Sequence, residues 1–505
     1  MEDQIRRRTL FRHPLAAVGG ALFLAGGFFF VILLLMDLTG GEENPYRALV
    51  TFVLAPAIVT LGLVLFLISA WFQVKEARKK GEKVKFRLSI EPTDPSYMKN
   101  LWLFLAISAV LLFLVGYSGT RAFEATDSVT FCGETCHTVM EPQNVTYHGS
   151  PHARVKCVDC HIGPGASFWV KSKIDGLRQV VATARNSYSR PIPTPVHNLR
   201  PAQQTCEECH WPLQFYGNKM VRRTYYRTDE ANSPWSTHLL LKIGGGNPRA
   251  QQEGGIHWHM LNENKVEYIA VDEKRRTIAW VRTTNADGES TVYQNGDVDD
   301  EVGPEDSGVE VRRFDCMDCH NRPSHIFLPP AVAINLALLG RTLSPELPFI
   351  RKVGLDLLNA EHSTREEARE AIRSGLPAYY AEQYPELARS MNQDIEKATE
   401  TLLTIYQENF FPEMKTDYRA RESHLSHFVN DGCFRCHNES MVDDSGNHLA
   451  YDCQTCHLIV AQGPSESVEE LEMNLAGLDF KHPEDIDEMW RDMKCTECHT
   501  PEAGY

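Results

Sequence analysis

Fourteen cysteines fall into seven pairs, and a histidine follows each pair directly. Six pairs stand in C-x-x-C-H: Cys157 with Cys160, Cys206 with Cys209, Cys316 with Cys319, Cys433 with Cys436, Cys453 with Cys456 and Cys495 with Cys498. They are closed by His161, His210, His320, His437, His457 and His499. The seventh site, "FCGETCHTVMEP" at 131–142, has one extra residue between Cys132 and Cys136, then His137 and, three residues on, Met140. No cysteine is left over for a disulfide or a catalytic thiol. Zinc ribbons join two C-x-x-C pairs around one ion. Seven pairs cannot be matched that way, and each carries its own histidine. C-x-x-C-H is instead the pattern of covalent c-type haem. Two thiols on one turn reach the two vinyl groups, and the histidine ligates the iron. Seven haem c groups are therefore expected, all fourteen cysteines binding them, and a chain holding them builds much of its core from porphyrin.

Haem is attached covalently outside the bacterial cytoplasm, and the N-terminal third shows how the chain gets there. Residues 14–36, 48–72 and 101–120 are three long uncharged apolar runs, each able to cross a bilayer as a helix. Arg6, Arg7, Arg8 and Arg12 precede the first; Lys75, Arg78, Lys79, Lys80, Lys83, Lys85 and Arg87 follow the second; only Arg47 lies between them. The positive-inside rule places both basic segments in the cytoplasm and everything after the third span in the periplasm. The expected location is the bacterial inner membrane, multi-pass, with the N-terminus cytoplasmic and the haem region periplasmic.

Of 51 basic and 67 acidic residues, 13 and 9 fall in 1–118, which leaves 38 against 58 for the rest. So acidic a region excludes nucleic acid as a partner and suits a basic electron-transfer protein. Five regions follow from texture: a three-helix transmembrane anchor (1–120), a three-haem region (121–212), a β-containing region with the fourth haem (213–329), a helical segment without a haem motif (330–420) and a C-terminal three-haem region (421–505). Within the third, "KVEYIAVDEKRRTIAWVRTTNADGESTVYQ" at 265–294 reads as a small β-meander. Within the fourth, "STREEAREAIRSGLPAYYAEQ" and "LARSMNQDIEKATETLLTIYQEN" have helical spacing and capping signals. The expected fold class is three N-terminal transmembrane α-helices plus an α-rich, irregular periplasmic multihaem cytochrome c region with a small β insertion.

A second side-chain ligand closes an iron for electron transfer; an iron without one is open to substrate. Twenty histidines, less seven in motifs, leave thirteen. His13 lies at the cytoplasmic edge of span one and is set aside. By position, His152, His197, His325, His427, His448 and His482 are distal candidates. His257 is the choice within "GIHWHM", where on a strand His259 would share its face as ligand or supporting partner. His238 and His424 are secondary candidates, and His362, beside a helix start, is expected at the surface.

"CGETCHTVMEP", "YHGSPHARVKCVDCHIGPGASFWVKSKIDG" and "LRPAQQTCEECHWP" resemble the NapC/NirT family of membrane-anchored multihaem cytochromes. "GIHWHM", "CMDCHNRPSHIF", "FPEMKTDY", "GCFRCHN" and "CQTCHLIVAQGP" resemble its longer, heptahaem members in metal-reducing bacteria. The resemblance points to the same six distal histidines. It implies menaquinol as substrate, membrane lipid and periplasmic c-type cytochromes as partners, and an extracellular metal oxide as the destination of the electrons. In that family a methionine near the first motif can replace its histidine on the iron. Two ligations therefore stay open here, His137 with Met140 packing, or Met140 itself, with His148 as sixth ligand or the position open. The resemblance also implies a quinol-site lysine, Lys171 or Lys173, with Asp175 as proton acceptor. The same segment, 169–180, reads equally as a basic amphipathic helix at the headgroup level. Two other functions remain in view: a terminal reductase of nitrogen or sulfur oxyanions at an open haem, and a haem conduit inside a larger quinone complex.

Overall fold

The computed structural model describes residues 5–9, 14–38, 54–79, 83–87, isolated positions between 102 and 121, and 124–500 apart from 136, 164, 197–199, 212–214, 247–253, 262, 300 and 426. These pack as two units, one of 1–132 with 156–181, the other of 133–155 with 182–505.

In the first unit, α1 (Pro14–Leu38) and α2 (Ala55–Lys79) run antiparallel. Small residues set the spacing. A Cβ at Gly19 would strike the backbone of Phe66 and Gly62, and one at Gly62 would strike Phe23 and Gly19. Such close approach of backbones is how helices gain packing contacts where no hydrophobic effect drives them together. Ala16, Ala21, Ala55 and Ser69 are buried, whereas Leu24, Phe28, Leu61 and Leu67 are exposed. The segment Ala55–Glu76 is long and apolar enough to cross a membrane. The third apolar run lies largely outside the described residues. A parallel pair of strands, β1 (Ile5–Thr9) and β2 (Lys83–Arg87), brings the two basic segments together. Among the described residues this unit also holds α4 (Cys157–His161), which is the second motif, and most of α5 (Ala166–Ala184), which follows it. Before α4 in the chain, α3 (His137–His148) belongs to the second unit.

The second unit contains two antiparallel sheets. One has the order β8-β5-β6-β7-β9, with β5 (Lys265–Ala270), β6 (Ile278–Thr284) and β7 (Ser290–Asn295) as the expected meander. The short strands β8 (Arg312–Arg313) and β9 (Met441–Asp443) extend its edges. Val266, Tyr268, Ile278, Val281 and Met441 form its core. The other sheet, β11-β10-β4-β3, was not expected. It pairs β3 (Lys219–Tyr226) and β4 (Pro234–Leu241) with β10 (His457–Gly463) and β11 (Glu472–Leu478). Its central pairing spans more than two hundred residues, and β10 begins on a motif histidine, so no local pattern announces it.

After the one-turn α6 (Cys316–Cys319) comes the region without a haem motif. It holds α7 (Pro330–Leu339), α8 (Ile350–Asn359), α9 (Arg365–Gln383), α10 (Pro385–Ser390) and α11 (Asn392–Asn409). Thr364 caps α9 by accepting from the Glu367 amide at 3.2 Å. Ala368, Ile372, Leu376 and Tyr380 recur every four residues and are buried, as are Ile395, Ala398, Leu402 and Tyr406 on α11. These stripes meet Ile334, Leu338, Leu347 and Ile350 in a conventional apolar core. The last motif closes the chain as α12 (Cys495–Cys498).

Candidate cofactor and redox sites

Each regular motif folds as one tight turn. The amide of the motif histidine donates to the carbonyl of the first cysteine at His210 (2.7 Å), His320 (2.8 Å), His437 (2.9 Å) and His499 (2.8 Å). One closed turn brings both thiols to one side and delivers the histidine just beyond them. Two acidic residues fix the start of such turns: Asp315 accepts from the Met317 amide at 2.8 Å, and Asp452 from the Gln454 amide at 2.6 Å. None of the thirteen described cysteines is in a disulfide. At the irregular first motif, Phe131–Thr135 is a π-helical turn. A π turn is how a helix absorbs a single inserted residue, and the extra residue between Cys132 and Cys136 is one. Gly133 is buried there, and a Cβ would run into the Asn144 amide.

The cysteines do not share one environment. Cys160, Cys209, Cys453 and Cys498 are exposed, and the other nine described cysteines are half-buried. In three of those four motifs, those of Cys160, Cys209 and Cys498, the second thiol is the exposed one. Cys160 and Cys209 are exposed, so the expectation that they hold haem rests on the motif rather than on burial.

Five motif histidines face a second imidazole across an open gap. The ring centres lie 5.9 Å apart for His210 and His152, 6.5 Å for His320 and His257, and 5.8 Å for His437 and His259. They lie 6.1 Å apart for His457 and His427, and 5.9 Å for His499 and His482. A metal–imidazole bond of about 2 Å on each side, plus the ring radius, sets two axial imidazole centres roughly 6 Å apart. The donor set therefore fits a six-coordinate haem iron at each of these motifs. Backbone carbonyls fix the rings: Nδ1 donates to Pro323 from His152 (3.0 Å), to Ile243 from His257 (2.6 Å), to Ile256 from His259 (2.8 Å) and to Ala450 from His437 (2.5 Å). That bond selects the tautomer whose Nε2 lone pair is free for a metal. Burial pushes His259 and His427 each down to about 4, so both are neutral imidazoles at physiological pH.

His259 is where sequence and structure part. The expected strand is a 3₁₀ turn, Ile256–Met260. Residues two apart on a 3₁₀ turn point in different directions, so His257 and His259 face two different motif histidines. His325 is held by the Gln143 carbonyl at 3.0 Å, and His448 by that of Glu439 at 2.7 Å. Among the described residues the His448 ring lies against Tyr451, not against a motif imidazole. His148 ends the helix that His137 begins. Eleven residues of helical rise separate them by about 16 Å, so both cannot face one porphyrin from opposite sides. Met140 is one turn along from His137 on α3. His424 is buried and held low, to about 3, by that burial and by Arg435. His238 sits on β4, paired with Arg222 and Ala461. His362, expected at the surface, is half-buried against Tyr406. Cys136, His197 and the side chain of His137 lie outside the described residues.

Thiols of successive motifs are neighbours. Cys206 and Cys316 share a hydrogen bond, as do Cys132 and Cys157. Cys433 lies close enough to Cys319 and Cys456, and Cys453 to Cys495, for each to bear on the other's charge. The last five motifs thus follow one another in space as they do in the chain.

In the first unit, α5 presents Ile174, Leu177, Val180 and Val181 outward. On its other side Lys173 Nζ donates to Asp127 Oδ1 at 3.0 Å and to Thr126 Oγ1 at 3.3 Å. Asp127 is only 6% exposed, and both Lys173 and Asp127 act electrostatically on Cys132. Lys171 is exposed, and Asp175 turns to Arg178 at 3.9 Å. Sequence reasoning picked the helix and passed over Asp127. Its signal was available: with Glu124, it is one of two carboxylates between the third apolar run and the first motif.

Residues 95–193 match the N-terminal region of the NapC/NirT cytochrome c family. The cytochrome c-type protein ImcH of Geobacter sulfurreducens is 37% identical over 494 residues, covering 97% of this chain and 96% of that protein. The cytochrome c-type protein NrfH of Wolinella succinogenes is 28% identical over 117 residues, 23% of this chain and 64% of its own length. No solved structure matches the chain.

Proposed function

This chain belongs to the NapC/NirT cytochrome c family, and from that premise we propose that it oxidises menaquinol at the inner membrane and passes the electrons to periplasmic c-type cytochromes. The observation that carries the reading is the set of five facing imidazole pairs, each beside a cysteine turn. The family implies covalent haem c; when bound, it supplies one-electron Fe(III)/Fe(II) chemistry at each site. Seven pairs of cysteines anchor seven groups. At the last five motifs His210, His320, His437, His457 and His499, with His152, His257, His259, His427 and His482 facing them, would hold the haem irons. Closed sites of this kind favour conduction over substrate binding. His161 ligates at the second motif. At the first, His137 and Met140 share a helical turn, so one ligates and the other packs.

Three spans, at 14–36, 48–72 and 101–120, hold the chain in the membrane with its cysteine-bearing part in the periplasm. The quinol site lies at Lys173 and Asp127. A quinol gives up two electrons and two protons, so its hydroxyls need a hydrogen-bond donor and a base beside the electron acceptor. Lys173 is the donor and Asp127 the base, and both act on Cys132 of the first motif. The apolar outer face of α5 lies along the bilayer surface from which the quinol arrives. An extracellular metal oxide is the proposed final destination of the electrons.

Two measurements on the purified chain test this. Intact mass gives the number of haem additions, expected to be seven. Stopped-flow mixing with a menaquinol analogue, with no other protein present, is expected to convert the haem absorbance to that of the ferrous state. Failure of reduction with all haems present would move the quinol site to a partner.

A further inference from the structure

The surroundings of the fourth motif hold more buried positive charge than the polypeptide neutralises. Arg275 is matched by Asp318 at 3.1 Å, and Asp318 also accepts from the Tyr268 hydroxyl at 2.5 Å. Arg435 spends its guanidinium on the carbonyls of Gly432, Arg275 and Asp318, at 2.8, 2.7 and 2.6 Å. Glu422 is taken by Arg276 and, at 3.8 Å, by Lys274. Arg322 and Arg421 remain. Arg322 reaches Thr194 Oγ1 at 3.4 Å, and its Nε has no partner among the described residues. Arg421 is 3% exposed, and its Nε and Nη2 have none.

Half-buried Arg322 and buried Arg421 lie close enough to repel each other, and Glu422, which bears on Arg322, is shared with Arg276 and Lys274. Desolvation with so little counter-charge is among the larger penalties a fold can carry. The pair is also tied to a cysteine turn. Arg322 is two residues past His320, and Asn321 between them donates to the Glu422 carbonyl (2.9 Å) and accepts from the His424 amide (2.9 Å). The chain carrying Arg421 is thereby pinned to the exit of the motif. The matching group must be anionic, planar enough for a guanidinium fork, and permanently present.

We propose that Arg322 and Arg421 form a binding site for a carboxylate of a covalently attached porphyrin, and so set the potential of that haem. The inference rests on the haem-bearing reading above. A positive charge beside a porphyrin carboxylate favours the ferrous state, whose iron carries one positive charge fewer. Removing it stabilises the ferric state and lowers the potential.

The test is spectroelectrochemical titration of the full chain carrying all its haems, with haem number fixed by intact mass. R421Q and, separately, R322Q are expected to shift one component to lower potential and leave the others in place, while R421K keeps that component where it is. A fully haem-loaded R421Q or R322Q that titrates as the unsubstituted protein does would overturn the proposal. If both glutamine variants fail to mature, redox-difference infrared spectra of R421K decide. Displaced carboxylate bands support the pair, and unchanged bands overturn it. Added inorganic phosphate probes an exchangeable anion: a phosphate-dependent shift in the unsubstituted protein that R421Q lacks would also overturn the proposal. A mature chain with no haem mass would sink the functional reading; full haem mass with an unmoved titration sinks this inference alone.

Discussion

Replacing Lys173 with alanine removes the partner of a carboxylate with little access to water. Two unit charges 3.0 Å apart attract by about 5 kcal/mol at an effective dielectric of about 20. Asp127 is buried, and the Lys173 side chain is 30% exposed, so some of that attraction is screened. Breaking a buried pair costs about 3–5 kcal/mol, and the lower end applies here. K173A should therefore lose about 3 kcal/mol of stability, and D127N/K173A should regain much of it because no lone charge remains. Activity should behave differently. A charge-assisted hydrogen bond to the quinol is worth about 1.5–3 kcal/mol, which is roughly 10- to 150-fold in kcat/KM. The double variant should recover stability yet stay slow. The assay is menaquinol-analogue oxidation by purified protein of verified haem content, paired with thermal inactivation and read as a double-mutant cycle. Wild-type rates in K173A with its haems intact would remove Lys173 from the site. Strict additivity in the cycle would show that the two side chains do not act together.

Three other outcomes follow from the same geometry. His259→Ala should leave haem mass unchanged and convert one haem from low to high spin, visible as a new carbon monoxide-binding species; a spectrum without that species would exclude His259 as a ligand. Leu402→Ala should cost about 2–5 kcal/mol by leaving a cavity in the helical body, measured by thermal unfolding, with haem spectra unaltered because that core needs no porphyrin. Gly62→Leu drives a side chain into the backbone of Phe23 and Gly19, and should sharply reduce the amount of chain recovered in the membrane fraction; normal recovery would mean that α1 and α2 do not need their close approach.

Much of this protein is local chemistry, and local chemistry is legible in a sequence. A C-x-x-C-H turn needs only five consecutive residues, so six of the seven motifs could be read directly. The seventh could be read as a variant whose extra residue the π turn absorbs. The α9 and α11 stripes and the 265–294 meander were equally plain, because side-chain periodicity is set by backbone geometry within a single element. Tertiary structure decided which side chains meet and which stay uncovered. The same five-residue motif leaves Cys160 and Cys209 exposed but Cys319 and Cys436 half-buried. No spacing rule says that His259 faces His437 across nearly two hundred residues, or that His427 faces His457. Nor does one pair β4 with β10, set Asp127 on Lys173, or bring half-buried Arg322 beside buried Arg421 with donors unmatched among the described residues. Partners of that kind are chosen by the packing of the whole chain, and the charge a buried group must meet is fixed only once everything around it has been placed.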